Sequence, residues 1–259
     1  MEDAEARGRL TDLREQLYGA ATWQMLEAGQ ISPGDRVLDI AAGTGDQSRM
    51  AARLVGPEGS VLATDISREM LEVAARFAHL EGLGNMATQV MNAEHLDLPS
   101  DTFDTVISRF GLMLIPRQDR ALAEIRRVLK PGGRLAALVW SRPERNPLFI
   151  LPDNITGQDR DAAGRPDPFS LADEAVFAHA LTQAGFREMR VQSIPLTFRF
   201  PSFEVLRSWW NPDFDEALAA FEPERRRRLY KEVRHAVRRF EGPAGIVAPA
   251  ELLLGSGTK

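Results

Sequence analysis

Apolar positions at Leu10, Leu13, Leu17, Ala20, Ala21 and Met25 recur at helical spacing and predict an amphipathic helix over residues 10–30. Ser32-Pro33-Gly34-Asp35 breaks that pattern. From Arg36 to Ser141 short aliphatic runs at 37–41, 61–64, 87–91, 103–108 and 135–140 alternate with amphipathic stretches near 46–55, 68–81 and 117–129. Strand and helix alternating in this way predict an α/β fold, a parallel sheet covered by helices on both faces. Residues 142–170, rich in proline, glycine and aspartate, read as a long loop, and loops of that length in compact domains are usually functional. Beyond it the pattern predicts a helix over 171–184 closed by Gly185, a strand around 189–194 and helical stretches at 203–210, 215–221 and 223–240. A final strand runs through Ala250-Glu251-Leu252-Leu253-Leu254-Gly255-Ser256-Gly257.

Composition narrows the classes. With 259 residues, 44% hydrophobic and 27% charged, the chain can bury a sizeable core, as one large domain or one domain with an insertion. A net charge of −5 argues against general affinity for nucleic acid. The basic run Arg225-Arg226-Arg227-Arg228, with Lys231, Arg234, Arg238 and Arg239, is interleaved at helical spacing with Leu229, Val233, Val237 and Phe240. It reads as the wet face of one amphipathic helix. The absence of cysteine excludes disulfides, thiolate catalysis and cysteine-ligated metals. His79, His95, His179 and His235 lack metal-ligand spacing, so no metal is expected. The acidic start, Met1-Glu2-Asp3-Ala4-Glu5, does not resemble a signal peptide, and the longest apolar run, 135–140, is too short to cross a bilayer. The expectation is a cytoplasmic protein without membrane insertion, a monomer or homodimer.

The chemistry centres on Val37-Leu38-Asp39-Ile40-Ala41-Ala42-Gly43-Thr44-Gly45-Asp46, a strand running into a glycine turn at a helix start. Glycines there let a ligand lie against bare backbone, and Asp65 ends the second strand where an acid can grip both hydroxyls of a ribose. Both features are shared with nicotinamide-dependent oxidoreductases. Ser48, however, stands where a pyrophosphate-binding turn expects its third glycine. Asp39, inside the strand end, is placed to meet a cationic amino group. Further on, Phe103-Asp104 opens the fourth strand and Val128-Leu129-Lys130-Pro131-Gly132-Gly133 turns a helix into the fifth.

Taken in order over residues 10–141, these segments resemble the class I S-adenosylmethionine (SAM)-dependent methyltransferases, and within them the ubiquinone and menaquinone C-methyltransferases and their small-molecule relatives. The resemblance implies a Rossmann-like, seven-stranded sheet whose last strand is antiparallel and inserted beside the fifth. It implies that Asp39, Ala41, Gly43 and Gly45 hold the methionyl part of SAM, that Asp65 binds the ribose and that Ile66 packs on the adenine. Asn92-Ala93-Glu94 stands where the family usually has Asp-Ala-Glu, and the Asn92 amide oxygen can still meet the adenine amino group. Ser108-Arg109-Phe110 should border SAM and substrate; Tyr18 and Trp23 on the first helix are placed to close over SAM, with a core stripe as the rival reading and the lid favoured for Trp23.

The expected division is a SAM-binding core over 1–141, completed by the rest of the sheet at 171–195 and 249–259. Segments 142–170 and 196–245 are expected to form a helical substrate cover. Phe110, Met113, Trp140, Phe149, Trp209 and Trp210 fall where a substrate wall is expected and suggest an apolar or aromatic small molecule. Arg109 pairs either with an anionic substrate or with a nearby acid. His95 is read as an exposed loop residue, with reach to substrate as the rival reading. The reading is thus a SAM-dependent methyltransferase acting on carbon or oxygen, with nitrogen possible; the rivals are an oxidoreductase and a SAM-binding regulatory module without turnover.

Overall fold

Aliphatic runs buried on both faces form the centre of the sheet, as parallel strands require. Val37, Leu38 and Ile40 of β1 (Arg36–Ile40), Val106 and Ile107 of β4 (Phe103–Arg109) and Leu135 to Val139 of β5 (Leu129–Trp140) have no exposed surface. The computed structural model describes residues 2–157, 166–210 and 213–259, and for 2–12, 213, 216 and 217 the backbone alone. Helix α1 (Glu2–Ala28) precedes β1, and α2 (Asp46–Val55), β2 (Ser60–Asp65), α3 (Arg68–Leu80) and β3 (Met86–Val90) follow it. After β4, α4 (Gln118–Val128) leads into β5. β1 pairs in parallel with β2 and β4, β2 with β3, and β4 with β5.

The strand order is β3-β2-β1-β4-β5-β8-β6, where β6 is Arg187–Phe200 and β8 is Gly245–Thr258. β8 runs antiparallel to β5 from Arg134↔Thr258 to Trp140↔Leu252, so the tail is inserted beside the fifth strand as expected. Its glycines are packing requirements: a Cβ on Gly255 would lie 2.5 Å from the ring of Phe177, which has no exposed surface. A two-residue strand, β7 (Glu241–Gly242), pairs with β8 and adds an eighth to the seven expected.

Three segments differ from the sequence reading, two of them because of proline. The segment 142–170 is not wholly a loop, since α5 (Pro147–Thr156) lies in it; residues 158–165 fall outside the described residues. Pro147 sits at the helix start, where its missing N–H is harmless. Pro152 lies inside the helix and leaves the carbonyl of Leu148 without its usual donor; the indole Nε1 of Trp210 donates to that carbonyl at 2.9 Å. The strand expected to stop at Ile194 continues through Pro195 to Phe200. β6 is last in the strand order, and an edge strand tolerates a residue that cannot donate to the ladder. The helix expected from 171 starts three residues later, as α6 (Glu174–Gln183), because Asp173 caps it by accepting from the backbone N–H of Ala175 and Val176.

The chain divides into two compact units. One holds Met1–Gly19, Ser141–Asp167 and Pro195–Glu251; the other holds Ala20–Trp140, Pro168–Ile194 and Leu252–Lys259. The first contains α5, α7 (Phe203–Trp210), α8 (Asp213–Ala219) and α9 (Pro223–Val237). Helix α9 buries Leu229, Val233 and Val237 and leaves Arg225, Arg227, Arg228 and Lys231 exposed, the amphipathic arrangement read from the sequence. Among the described residues no helix is long and apolar enough to cross a membrane.

Candidate functional site

The second unit gathers its chemistry at the carboxyl ends of β1, β2 and β4, the edge at which open α/β sheets bind ligands. Between β1 and α2 the chain passes through Ala41, Gly43 and Gly45, all left-handed, with φ of 54°, 56° and 74°. A Cβ on Gly43 would meet nothing within 4 Å, so the turn presents bare backbone to open space. Gly45 is fixed instead by its neighbours: a Cβ there would lie 2.8 Å from that of Ala74. Asp65 ties this turn to the end of β2. Its Oδ2 accepts from the backbone N–H of Gly43 at 2.8 Å and its Oδ1 from that of Ser67 at 2.9 Å. The carboxylate remains half-buried, and Ile66 beside it is 76% exposed, an unusual setting for an isoleucine.

Asp39 is the first correction. The sequence placed it facing a ligand's ammonium; in the structure it has no exposed surface and its oxygens are engaged inside the wall of the turn. Gln47 Nε2 donates to its Oδ1 at 3.2 Å, and the Ser48 hydroxyl donates to its Oδ2. Burial pushes its carboxyl up to about 7, although those two hydrogen bonds and the Arg109 charge pull the other way. Ser48, noticed only as a missing glycine, therefore has a definite partner.

At the end of β4 stand Ser108, Arg109 and Phe110, which the sequence placed beside SAM and substrate; of the two partners weighed for Arg109, the structure shows the acid. Ser108 is fully buried and its hydroxyl donates to the carbonyl of Ile40 at 3.0 Å, which ties β4 to β1. Arg109 is engaged with an acid of its own unit. Its Nη2 lies 3.2 Å from Asp46 Oδ2 and its Nη1 donates to Thr22 Oγ1 at 3.0 Å. Phe110 follows with φ of 61° and stacks on Trp140, ring centroids 5.0 Å apart. Trp140 and Met113 are 4% and 3% exposed, so their side chains belong to the packed interior more than to an open wall. Gly111 is needed where it stands because a Cβ there would collide with that of Ala41. Two non-glycine residues, Ala41 and Phe110, thus hold left-handed backbone at the ends of adjacent strands. Such strain costs about 1–3 kcal/mol each and concentrates at functional sites.

After β3, Asn92 is exposed, but its Oδ1 accepts from the backbone N–H of Glu94 at 2.9 Å in a local turn. Ala93 is buried, Glu94 Oε1 accepts from the backbone N–H of Arg117, and His95 is exposed on the loop. On α1, Trp23 is 48% exposed.

The remaining expected residues lie in the first unit. Trp209 Nε1 donates to the hydroxyl of Tyr18 at 2.7 Å, and the rings of Phe149, Phe198 and Phe200 surround Trp209 at centroid distances of 6.1, 5.4 and 5.4 Å. Trp209 and Phe149 are half-buried. Trp210 is a correction: it is 8% exposed, its N–H is used by Leu148, and its ring packs on Phe203 and Phe214. It is core.

Sequence reasoning missed Thr22, Asp46, Gln47 and Ser48. Asp46 and Ser48 stand within or just after the glycine motif, so a signal existed; Thr22, 87 residues from its partner Arg109, offered none.

Comparison with known proteins agrees with this geometry. Residues 37–133 match a family described as a methyltransferase domain. The ubiquinone/menaquinone biosynthesis C-methyltransferase of Teredinibacter turnerae is 46% identical over 124 residues, which cover 48% of this chain and 50% of that protein. The chain thus spans about half the length of the curated relatives it matches. Among solved structures, the YcgJ protein of Bacillus subtilis superposes with a TM-score of 0.64 at 22% identity, covering 93% of this chain and 98% of that one. A SAM-dependent methyltransferase of Aquifex aeolicus gives a TM-score of 0.53 at 25% identity, covering 69% of this chain and 84% of the other. Over residues 37–133 the chain matches a methyltransferase domain, and its fold is the Rossmann-like one of these solved structures.

Proposed function

We propose that this protein transfers a methyl group from SAM to a small apolar or aromatic molecule, at carbon or oxygen. The observation that carries the reading is the open glycine turn held by Asp65, within a segment that matches a methyltransferase domain. The residues fit the cofactor. Gly43 leaves room for a ligand against the backbone, Asp65 offers a half-buried carboxylate for the ribose hydroxyls, and exposed Ile66 offers an apolar face for the adenine. Bound there, SAM supplies the methyl as a sulfonium electrophile. The task of the chain is then to hold acceptor and methyl in line with water excluded, and positioning of this kind can contribute about 7–11 kcal/mol. Phe110 at the end of β4, stacked on Trp140 of the same unit, supports an apolar acceptor. Transfer to carbon is supported by the 46% identical relative, whose own name is that of a C-methyltransferase.

The test is incubation with methyl-labelled SAM and a panel of small acceptors, phenolic and enolisable rings beside polar amines. Label is expected in the apolar aromatic members. Binding of S-adenosylhomocysteine without label transfer to any acceptor would make the protein a SAM-binding module instead.

A further inference from the structure

We infer that Arg109 is a positioning residue for the cofactor site, one guanidinium tying α1 to the first residue of α2. The inference rests on the SAM reading given above. Arg109 leaves the carboxyl end of β4 and reaches two acceptors from separate nitrogens: Thr22 Oγ1 at 3.0 Å and Asp46 Oδ2 at 3.2 Å. The pair with Asp46 is shielded, with side-chain exposures of 9% for Arg109 and 12% for Asp46, and Thr22 has no exposed surface. An ion pair this sheltered holds its geometry where a surface pair would fluctuate.

Its three ends explain what it fixes. Asp46 follows Gly45 directly and opens α2, so the position of its carboxylate sets the direction in which the chain leaves the glycine turn. Arg49, one turn further along α2, also reaches Asp46, at 3.4 Å, while its Nη1 holds the carbonyl of Thr44 within the turn. Thr22 lies on α1 beside Trp23, which is about half exposed. The same guanidinium therefore holds both the helix that carries Trp23 and the helix that starts at the turn. It also supplies positive charge near Asp39 and Asp46, acids that with Asp65 surround the turn. Arginine suits this role because its planar fork serves two acceptors from separate nitrogens in fixed directions, whereas a lysine ammonium must donate from one rotating atom. The consequence for the cofactor is preorganisation: with the clamp made, the turn and α1 need no reordering when the ligand enters.

The decisive variants are Thr22→Val, which keeps the shape of the side chain and removes the acceptor, and Thr22→Ser, which restores it. Arg109→Lys is the partner variant. Thr22→Val and Arg109→Lys should each weaken binding of S-adenosylhomocysteine about tenfold by calorimetry, as expected for loss of a charge-assisted hydrogen bond. Thr22→Ser should stay within about twofold of wild type, and the double variant Thr22→Val with Arg109→Lys should lose little beyond either single one. With SAM as substrate, KM should rise while kcat at saturation is largely kept. Affinity equal to wild type in folded Thr22→Val overturns the proposal. So does a loss in Thr22→Ser as large as in Thr22→Val, which would mark a packing role. Wild-type protein that does not bind S-adenosylhomocysteine at all overturns the cofactor reading and this inference with it, so the two failures are told apart by the wild-type titration.

Discussion

A carboxyl group without solvent contact reports on the interior of a site through its proton. Asp39 is such a group: burial raises its pKa from 3.8 to about 7. The unfolded chain releases this proton above its ordinary value, whereas the folded chain keeps it until near neutrality. Stability from this group is therefore fully present below about pH 4 and is lost as pH rises through about 7, over a span worth on the order of 4 kcal/mol. Asp39→Asn, neutral at every pH, should gain in melting temperature relative to wild type between pH 5 and pH 8. A difference that stays constant with pH would mean that Asp39 is ionised in the fold throughout. Trp210 makes a separate claim at this scale. Trp210→Phe keeps the ring but leaves the Leu148 carbonyl without the donor that Pro152 also denies it. Urea unfolding should show a loss of about 1–3 kcal/mol, the cost of an unsatisfied buried acceptor. No loss would mean that water replaces the indole.

Elements whose boundaries are set by local chemistry were legible; those set by their neighbours were not. Helix α2 begins and ends where the glycine turn and the aliphatic spacing predicted, at 46 and 55. α3 starts at 68, where the amphipathic stretch predicted it, after Ser67, whose hydroxyl accepts from the N–H of Met70. α5 was hidden because proline reads as loop, and only Trp210, about 60 residues away in sequence, makes Pro152 tolerable. β6 runs past Pro195 because it is last in the strand order, which no local pattern states. β8 is the instructive case: the pattern reads a strand through Gly255 and Gly257 but not why glycine stands there, and the Phe177 ring and the Phe186 side chain occupy the space a side chain would need. Gly255→Ala should therefore destabilise by about 1–3 kcal/mol through overpacking, and Phe177→Leu added to it should restore part of that loss. Equal stability of Gly255→Ala and wild type in thermal melts would place the Phe177 ring elsewhere.

At the scale of the molecule, strand and helix alternation announced the parallel sheet, because that spacing is local and recurs in order, and the resemblance to the methyltransferases implied the antiparallel last strand. What the sequence could not announce is which partner each polar side chain takes. Asp39, Ser108 and Arg109 have the residue types of a binding site, yet Gln47 and Ser48, Ile40 and Thr22 with Asp46 are their respective partners. Asp65 differs from them, since its carboxylate stays half-buried while holding Gly43 and Ser67. The central claim, that the glycine turn and Asp65 hold SAM, is tested most directly by calorimetric titration of S-adenosylhomocysteine into wild type and Asp65→Ala. Saturable binding to the wild type is predicted, with at least a tenfold loss in the folded variant, as removal of a charge-assisted acceptor implies. Absence of binding to the wild type, or equal affinity in a folded Asp65→Ala, would contradict the account.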